Sequence, residues 1–207
     1  MSNTRHSRDD VVAAALRILD EHGLPDLTMR RLAGALDVQA SALYWHFPNK
    51  QALLASVSDR IVARAVREDP ADWRDAAAAQ AAGLRESLLA YRDGAEVVSS
   101  SLALGLGGRG AISGLRSAIA RGGFDGRTSD TAATVVLHFV LGHVSHEQQR
   151  MQADSLGVVA AEHAITAGAV ADTTDSFSDG ISLLLDGLQT RSRVGVVASP
   201  PMERARL

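Results

Sequence analysis

The sequence predicts an all-α protein, a three-helix N-terminal unit followed by a larger helical unit. Three observations predict it. Apolar residues recur at spacings of three and four along most of the chain, as in helices that bury one face. No stretch sustains the two-residue alternation of a half-buried strand. Glycine, proline and Asn/Asp positions fall between the periodic stretches, where helices start and stop.

Residues 9–22 carry Val11, Val12, Ala15, Leu16 and Leu19 on one face and stop at Gly23. Thr28 caps a second, short helix that turns Met29, Leu32, Ala33 and Leu36 inward. "LDV" at 36–38 breaks it, and Asp37 tolerates the left-handed conformation better than most residues. A third helix follows over 39–46 with Leu43 inward; Pro48 ends it, and Asn49 caps a fourth over 50–68. "REDPADW", 67–73, is polar, contains Pro70 and interrupts the periodicity, so it marks a domain boundary. Beyond it lie helical patterns at 74–92, 111–121, 128–152 and 175–190, separated by glycine-rich breaks at 105–110 and 122–126. The last shows a stripe of Phe177, Ile181, Leu184, Leu185 and Leu188. The division that results is 7–50, a connecting helix 51–68, a second domain 73–190, and a disordered tail 192–207.

Composition excludes several classes. With 207 residues and 46% apolar content the chain can bury a core. There is no cysteine, hence no disulfide framework and no thiolate metal site. No signal pattern and no apolar run of membrane-spanning length occurs, which predicts a cytoplasmic protein without a membrane partner. Net charge is −3, and residues 1–50 balance six Lys/Arg against six Asp/Glu. Placement of charge, not its total, must therefore decide what the chain binds.

"SALYWHFPNK", 41–50, concentrates Tyr44, Trp45 and Phe47 around His46 in an aromatic-poor chain and ends on its only lysine, Lys50. A helix at 28–36, a tight turn and a helix at 39–46 make a helix-turn-helix unit, whose second helix enters the DNA major groove. Aromatic rings at that helix's end can lie along sugar and phosphate. Lys50, just after the Asn49 cap, aims its charge the same way as the amides of the next helix's N-terminus. The competing reading puts these aromatics into a core, and since Tyr44 and Phe47 are three apart one of them belongs partly there.

"LTMRRLAGALDVQASALYWHFPNKQALL", 27–54, closely resembles the DNA-binding domain of the tetracycline-repressor family, and the likeness extends upstream to residue 7. The resemblance implies that Arg30 reaches a guanine edge and that Gln39, Ala40, Ser41 and Ala42 face bases. It implies that Thr28, Tyr44, Trp45, His46 and Lys50 contact the DNA backbone. Two departures matter. Asp37 stands where the family usually has glycine, and Ala40 and Ala42 can only touch thymine methyls, leaving base specificity to Arg30, Gln39 and Ser41.

"LLAYRDGAEVV" (88–98) and "LHFVLGHVSHEQQ" (137–149) resemble the ligand-binding domain of the tetracycline repressors themselves; Trp73 and "FSDGISLLLDGL" (177–188) fit more loosely. By that resemblance the metal-ligating histidine of the drug pocket falls on Val98, which cannot bind Mg²⁺. The drug-gripping Asn and Phe fall on Gln80 and Leu84, a pocket Gln on Leu115, and a metal-site glutamate on His146, while His138 is kept. This implies an apolar pocket with Gln80 and His138 as polar handles, a small hydrophobic organic effector and no cofactor. It also implies a homodimer paired through helices 128–152 and 175–190 as a four-helix bundle, with Gly180 and Gly187 either easing close approach or merely weak helix positions. Its recognition helices would sit ~34–36 Å apart on a palindromic operator until effector releases the DNA.

Other readings compete. "GLGGRG", 105–110, matches G-x-G-x-x-G with Asp130 further on, the fingerprint of a dinucleotide-binding oxidoreductase, and "EVVSSSLAL" could supply its first strand. No second strand follows, so a loop between helices is the better reading. His143, His146 and Glu147 have helical spacings that suit a shared metal, against the plainer reading of a polar face in a dimer interface. A helical dimer that kept the motif without binding DNA is the third. No G-x-S-x-G or H-E-x-x-H occurs, which leaves hydrolase chemistry unsupported.

Overall fold

The computed structural model describes residues 6–65, 70–155 and 173–197. Helix α1 spans Arg8–His22. It opens with a reciprocal cap: the Asp10 N–H donates to Ser7 Oγ (3.2 Å) and the Ser7 N–H to Asp10 Oδ2 (2.8 Å). It ends at Gly23, φ +81°, whose N–H donates to the Leu19 carbonyl at 2.8 Å. Helix α2 spans Met29–Ala35, and Thr28 Oγ1 accepts the Arg31 N–H at 3.1 Å. Asp37, φ +52°, turns the chain in the left-handed region, as its place in the turn predicts.

Helix α3, Ala40–Leu43, is shorter than the expected 39–46. Residues 44–46 are a turn: the His46 N–H donates to the Leu43 carbonyl three residues back (3.0 Å), tighter than the helical spacing of four, and the Phe47 N–H closes on the same carbonyl (2.9 Å). Asn49 caps α4, Lys50–Val62, by accepting the Ala52 N–H at 2.8 Å, and a single 3₁₀ turn, Ala63–Ala65, follows. The rest of the helix expected to 68 and part of the 67–73 boundary lie outside the described residues.

Helix α5, Trp73–Leu89, starts on Asp72, whose Oδ1 accepts the N–H groups of Arg74 and Asp75 (2.8 and 3.2 Å). The segment "EVVSSSLAL", which could have supplied a strand, is instead part of helix α6, Gly94–Ala103. Gly94, Ala95, Val97, Val98 and Ser101 are its buried residues, a three-and-four spacing that packs β-branched side chains inward despite their strand preference. Helices α7 (Arg109–Ala120), α8 (Gly126–Ser155) and α9 (Thr173–Val197) complete the order among the described residues. "GLGGRG" thus joins two helices, and among the described residues there is no strand to make it a dinucleotide loop. Helix α9 is described past residue 192 to Val197; residues 198–207 of the expected tail lie outside the described residues.

One apolar core runs through both units. Leu16, Leu19, Leu27, Leu32, Leu43, Phe47, Leu53 and Val57 bury the helix-turn-helix against α1 and α4; Leu84, Leu88, Leu115, Val140 and Val144 continue it among α5, α7 and α8. Helix α4 meets the loop before α7 backbone to backbone: a Cβ on Gly107 would stand 2.6 Å from the Ala55 carbonyl oxygen. Gly180 lets α9 settle on the Phe139 ring of α8, whereas Gly187 has nothing within 4 Å.

Polar bridges brace the second unit and join it to the first. Gln148 of α8, 6% exposed, donates to the Leu88 and Tyr91 carbonyls (3.1 and 2.8 Å) and accepts the Ala95 N–H (3.3 Å), closing the α5–α6 turn. Asp93, φ +55°, accepts Gln152 Nε2 on one oxygen (2.6 Å) and the Leu24 N–H, between α1 and α2, on the other (2.7 Å).

Candidate nucleic-acid interface and effector cavity

Within residues 27–50 the inward positions are Leu27, Leu32, Ala33, Leu36, Leu43 and Phe47. The complementary positions are those singled out by sequence. Thr28, Arg30, Gln39, Ser41, Ala42, Tyr44 and Trp45 are exposed, and Ala40, His46 and Lys50 half-buried. Tyr44 is 50% and Trp45 91% exposed, while Phe47 is 0% exposed under the Arg8 guanidinium, 4.5 Å from its ring centre. The two aromatic readings therefore divide: Phe47 is core, Tyr44 and Trp45 are not. A tryptophan left almost wholly in water covers nothing of its own chain, which is what a contact residue awaiting a partner looks like.

The cations are sorted in the same way. Arg31 is tied to Asp26 at 2.6 Å, but Arg30, one residue earlier, has no partner among the described residues. Lys50 is the first residue of α4, where helix-end amides and ammonium charge add. Sequence reasoning missed His6, whose Nε2 lies 2.9 Å from the Leu36 carbonyl and pins the chain's start to the motif's turn. Nothing in its local pattern could have shown a contact thirty residues away.

A cavity of about 420 Å³ lies between the end of α4, α5 and α7. Gln80 and Leu84 line it, as expected, with Val62, Ala65, Ala111 and Gly114. The missing Cβ at Gly114 makes room for Gln80, whose Oε1 stands 2.8 Å from where that carbon would be. The other three expected positions do not line this cavity. Val98 and Leu115 pack in the core, 1% and 0% exposed. His138 is exposed on α8, because its neighbour Leu137 takes the inward direction and each helical step turns the next side chain about 100° away. Asp59 and Ser113 line the cavity and were not anticipated, since α4 and α7 bring them together only on packing.

His143, His146 and Glu147 are not gathered as a ligand set. Both Glu147 carboxylate oxygens accept from Arg85 (Nη2 at 2.7 Å, Nε at 3.1 Å), and His143 sits against the Phe139 and Phe177 rings at 5.6 and 5.3 Å. Among the described residues no three His, Asp or Glu side chains converge on one point. No described helix is long and apolar enough to cross a membrane.

Comparison with known proteins agrees along the chain. A family profile described as "Bacterial regulatory proteins, tetR family" matches residues 11–57, and one described as "Tetracyclin repressor-like, C-terminal domain" matches 67–192. "Tetracycline repressor protein class A from transposon 1721" of Escherichia coli is 32% identical over 204 residues, covering 92% of this chain and 94% of that one. Among solved structures, Mycobacterium smegmatis BioQ aligns with a TM-score of 0.77 and 42% identity over 88% of this chain and 97% of its own. BioQ with its natural double-stranded DNA operator aligns at 0.72 and 39%, covering 88% and 98%.

Proposed function

Because this chain belongs to the tetR family of bacterial regulatory proteins, and is thus a helix-turn-helix DNA-binding regulator of transcription and not an enzyme, we propose that it represses as an effector-released homodimer on a palindromic operator. The observation that carries the DNA reading is the split between buried Phe47 and exposed Tyr44 and Trp45. Thr28, Tyr44, Trp45, His46 and Lys50 hold sugar and phosphate and set the register; Arg30, Gln39 and Ser41 read base edges, while Ala40 and Ala42 touch thymine methyls. Residues 7–50 form the DNA-binding domain, 51–68 the connecting helix and 73–190 the effector and dimerisation domain. The protein works in the cytoplasm, where its operator is. That a structural neighbour is seen on its operator supports this geometry.

The dimer pairs α8 and α9 with their copies. Support comes from outer faces that carry Val135 at 46% and Leu183 at 71% exposure, with Gly142 and Gly187 open beside them. The cavity beside Gln80 takes the effector, a small and mostly apolar organic molecule. Mg-tetracycline is not its expected effector: the position that resemblance assigns to the metal-ligating histidine is Val98, which has no ligating atom and packs in the core outside this cavity.

An electrophoretic shift with the DNA upstream of the protein's own gene tests the reading. The wild type should retard it, and Arg30→Ala and Tyr44→Ala should each weaken that. Failure of the wild type, with both variants behaving identically, would leave a helical dimer that does not bind DNA.

A further inference from the structure

Among the described residues the cavity wall carries a single charge, Asp59 of α4; Val62, Ala65, Leu84 and Ala111 make most of the remainder apolar, and no Lys, Arg or His faces it. Asp59 is exposed at the rim, and one carboxylate oxygen accepts the Gly108 N–H at 2.7 Å. It has no other partner among the described residues. The nearby cations are engaged elsewhere: Arg60 pairs with Asp9 at 2.9 Å, and Arg8 donates to Ser56 at 3.0 Å while covering Phe47. An unpaired anion on an apolar wall favours a molecule that brings an apolar body and a cationic or donor group, and repels carboxylates and phosphates.

We propose that Asp59 is the specificity-determining residue of this cavity and selects amphiphilic organic amines as effectors over anions of the same shape. The proposal rests on the reading of this cavity as the effector site. It also supplies a route to the DNA-binding unit. The carboxylate that meets the amine is the one that ties α4 to the loop entering α7 through Gly108. Ser58, the preceding residue of α4, is buried against that glycine: its Oγ lies 2.9 Å from where a Gly108 Cβ would be and has no hydrogen-bond partner. A buried hydroxyl without a partner disfavours the present seating of α4 on the loop. An amine that draws Asp59 from Gly108 removes the bond opposing a shift, and α4 begins at Lys50, in the DNA-contacting segment.

Isothermal titration of the full-length protein at neutral pH and low salt, with 2-(1-naphthyl)ethylamine, 2-(1-naphthyl)ethanol and 1-naphthylacetate, tests this. The amine should bind about tenfold more tightly than the carboxylate, since attraction and repulsion at one partly solvated charge both count. In Asp59→Asn that ratio should fall to about one, and hydrogen exchange at Gly108 should quicken when the amine binds the wild type. Equal binding of amine and carboxylate, or an unchanged ratio in Asp59→Asn, overturns the proposal. Ser113→Trp, which fills the cavity from its exposed rim, separates the two readings. If it abolishes binding while Asp59→Asn leaves the ratio intact, only the selection by Asp59 fails; if it leaves all binding intact, or if none of the compounds binds the wild type, the effector cavity fails with it.

Discussion

Trp45→Ala should cost DNA affinity and nothing else. The side chain is 91% exposed, so its removal forfeits almost no packing and should change folding stability by less than ~0.5 kcal/mol, the usual range for surface changes. Against sugar and phosphate the ring has much to lose. A fully covered aromatic side chain buries roughly 150–250 Å². Covering one face therefore removes roughly 100 Å² from water, about 2.5 kcal/mol or about seventyfold in affinity per recognition helix. Phe47→Ala, two residues on, should do the reverse: a side chain 0% exposed is worth about 3–5 kcal/mol of folding stability. Fluorescence anisotropy with the upstream DNA and urea melts of each variant measure the two quantities. Salt adds a control: Trp45→Ala should leave the slope of log affinity against log salt unchanged, whereas Lys50→Ala should reduce it by about one per subunit. If Trp45→Ala binds within twofold of wild type, or melts more than about 1 kcal/mol lower, the division of the aromatic cluster into contact and core is wrong.

Gln148→Leu leaves the Leu88 and Tyr91 carbonyls and the Ala95 N–H without their partner in the interior, and should lower stability by about 3 kcal/mol in a urea melt. Arg85 and Glu147, each 14% exposed, form a paired charge: Arg85→Met alone should cost about 3 kcal/mol, and adding Glu147→Leu should recover most of it in a double-mutant cycle. Hydrogen bonds from the Ser7 N–H and hydroxyl hold the Asp10 carboxyl below its ordinary 3.8, and those from Thr128 do the same for Asp125. A lowered folded-state value means that each carboxylate's stabilisation is present above that ordinary value and lost as pH falls through the lower one. Carbon-detected NMR titration should find both groups still ionised when the exposed aspartates of the unfolded chain are protonating.

What the sequence disclosed is largely what is local. Thr28 and Asn49 cap helices through bonds to residues three positions away, and the Asp37 turn is set by its own backbone, so the motif's outline is legible within about 25 residues. Helix α6 was hidden because Val97 and Val98, read alone, favour extended chain, and only packing of the 94–95–97–98–101 face decides otherwise. Resemblance transferred positions but not exposure: Gln80 and Leu84 reached the cavity, whereas His138 stands on the outer side of α8. Asp59 and Gly108, 49 residues apart, become partners only once α4 and the α6–α7 loop are side by side, and Asp93 joins Leu24 to Gln152 across still longer separations.

Lys50, the only lysine of the chain and the first residue of α4, gives the molecule an unusual chemical address. Apart from the α-amino terminus, it carries the one primary amine open to amine-directed reagents. Formaldehyde fixation through a lysine would therefore form at the edge of the recognition segment or not at all, and a cross-link to DNA would report a seated complex rather than a passing encounter. Immobilising the protein through its lysine would likewise occupy the surface proposed to meet the operator, so attachment at another position is the sounder route to any binding measurement on a solid support.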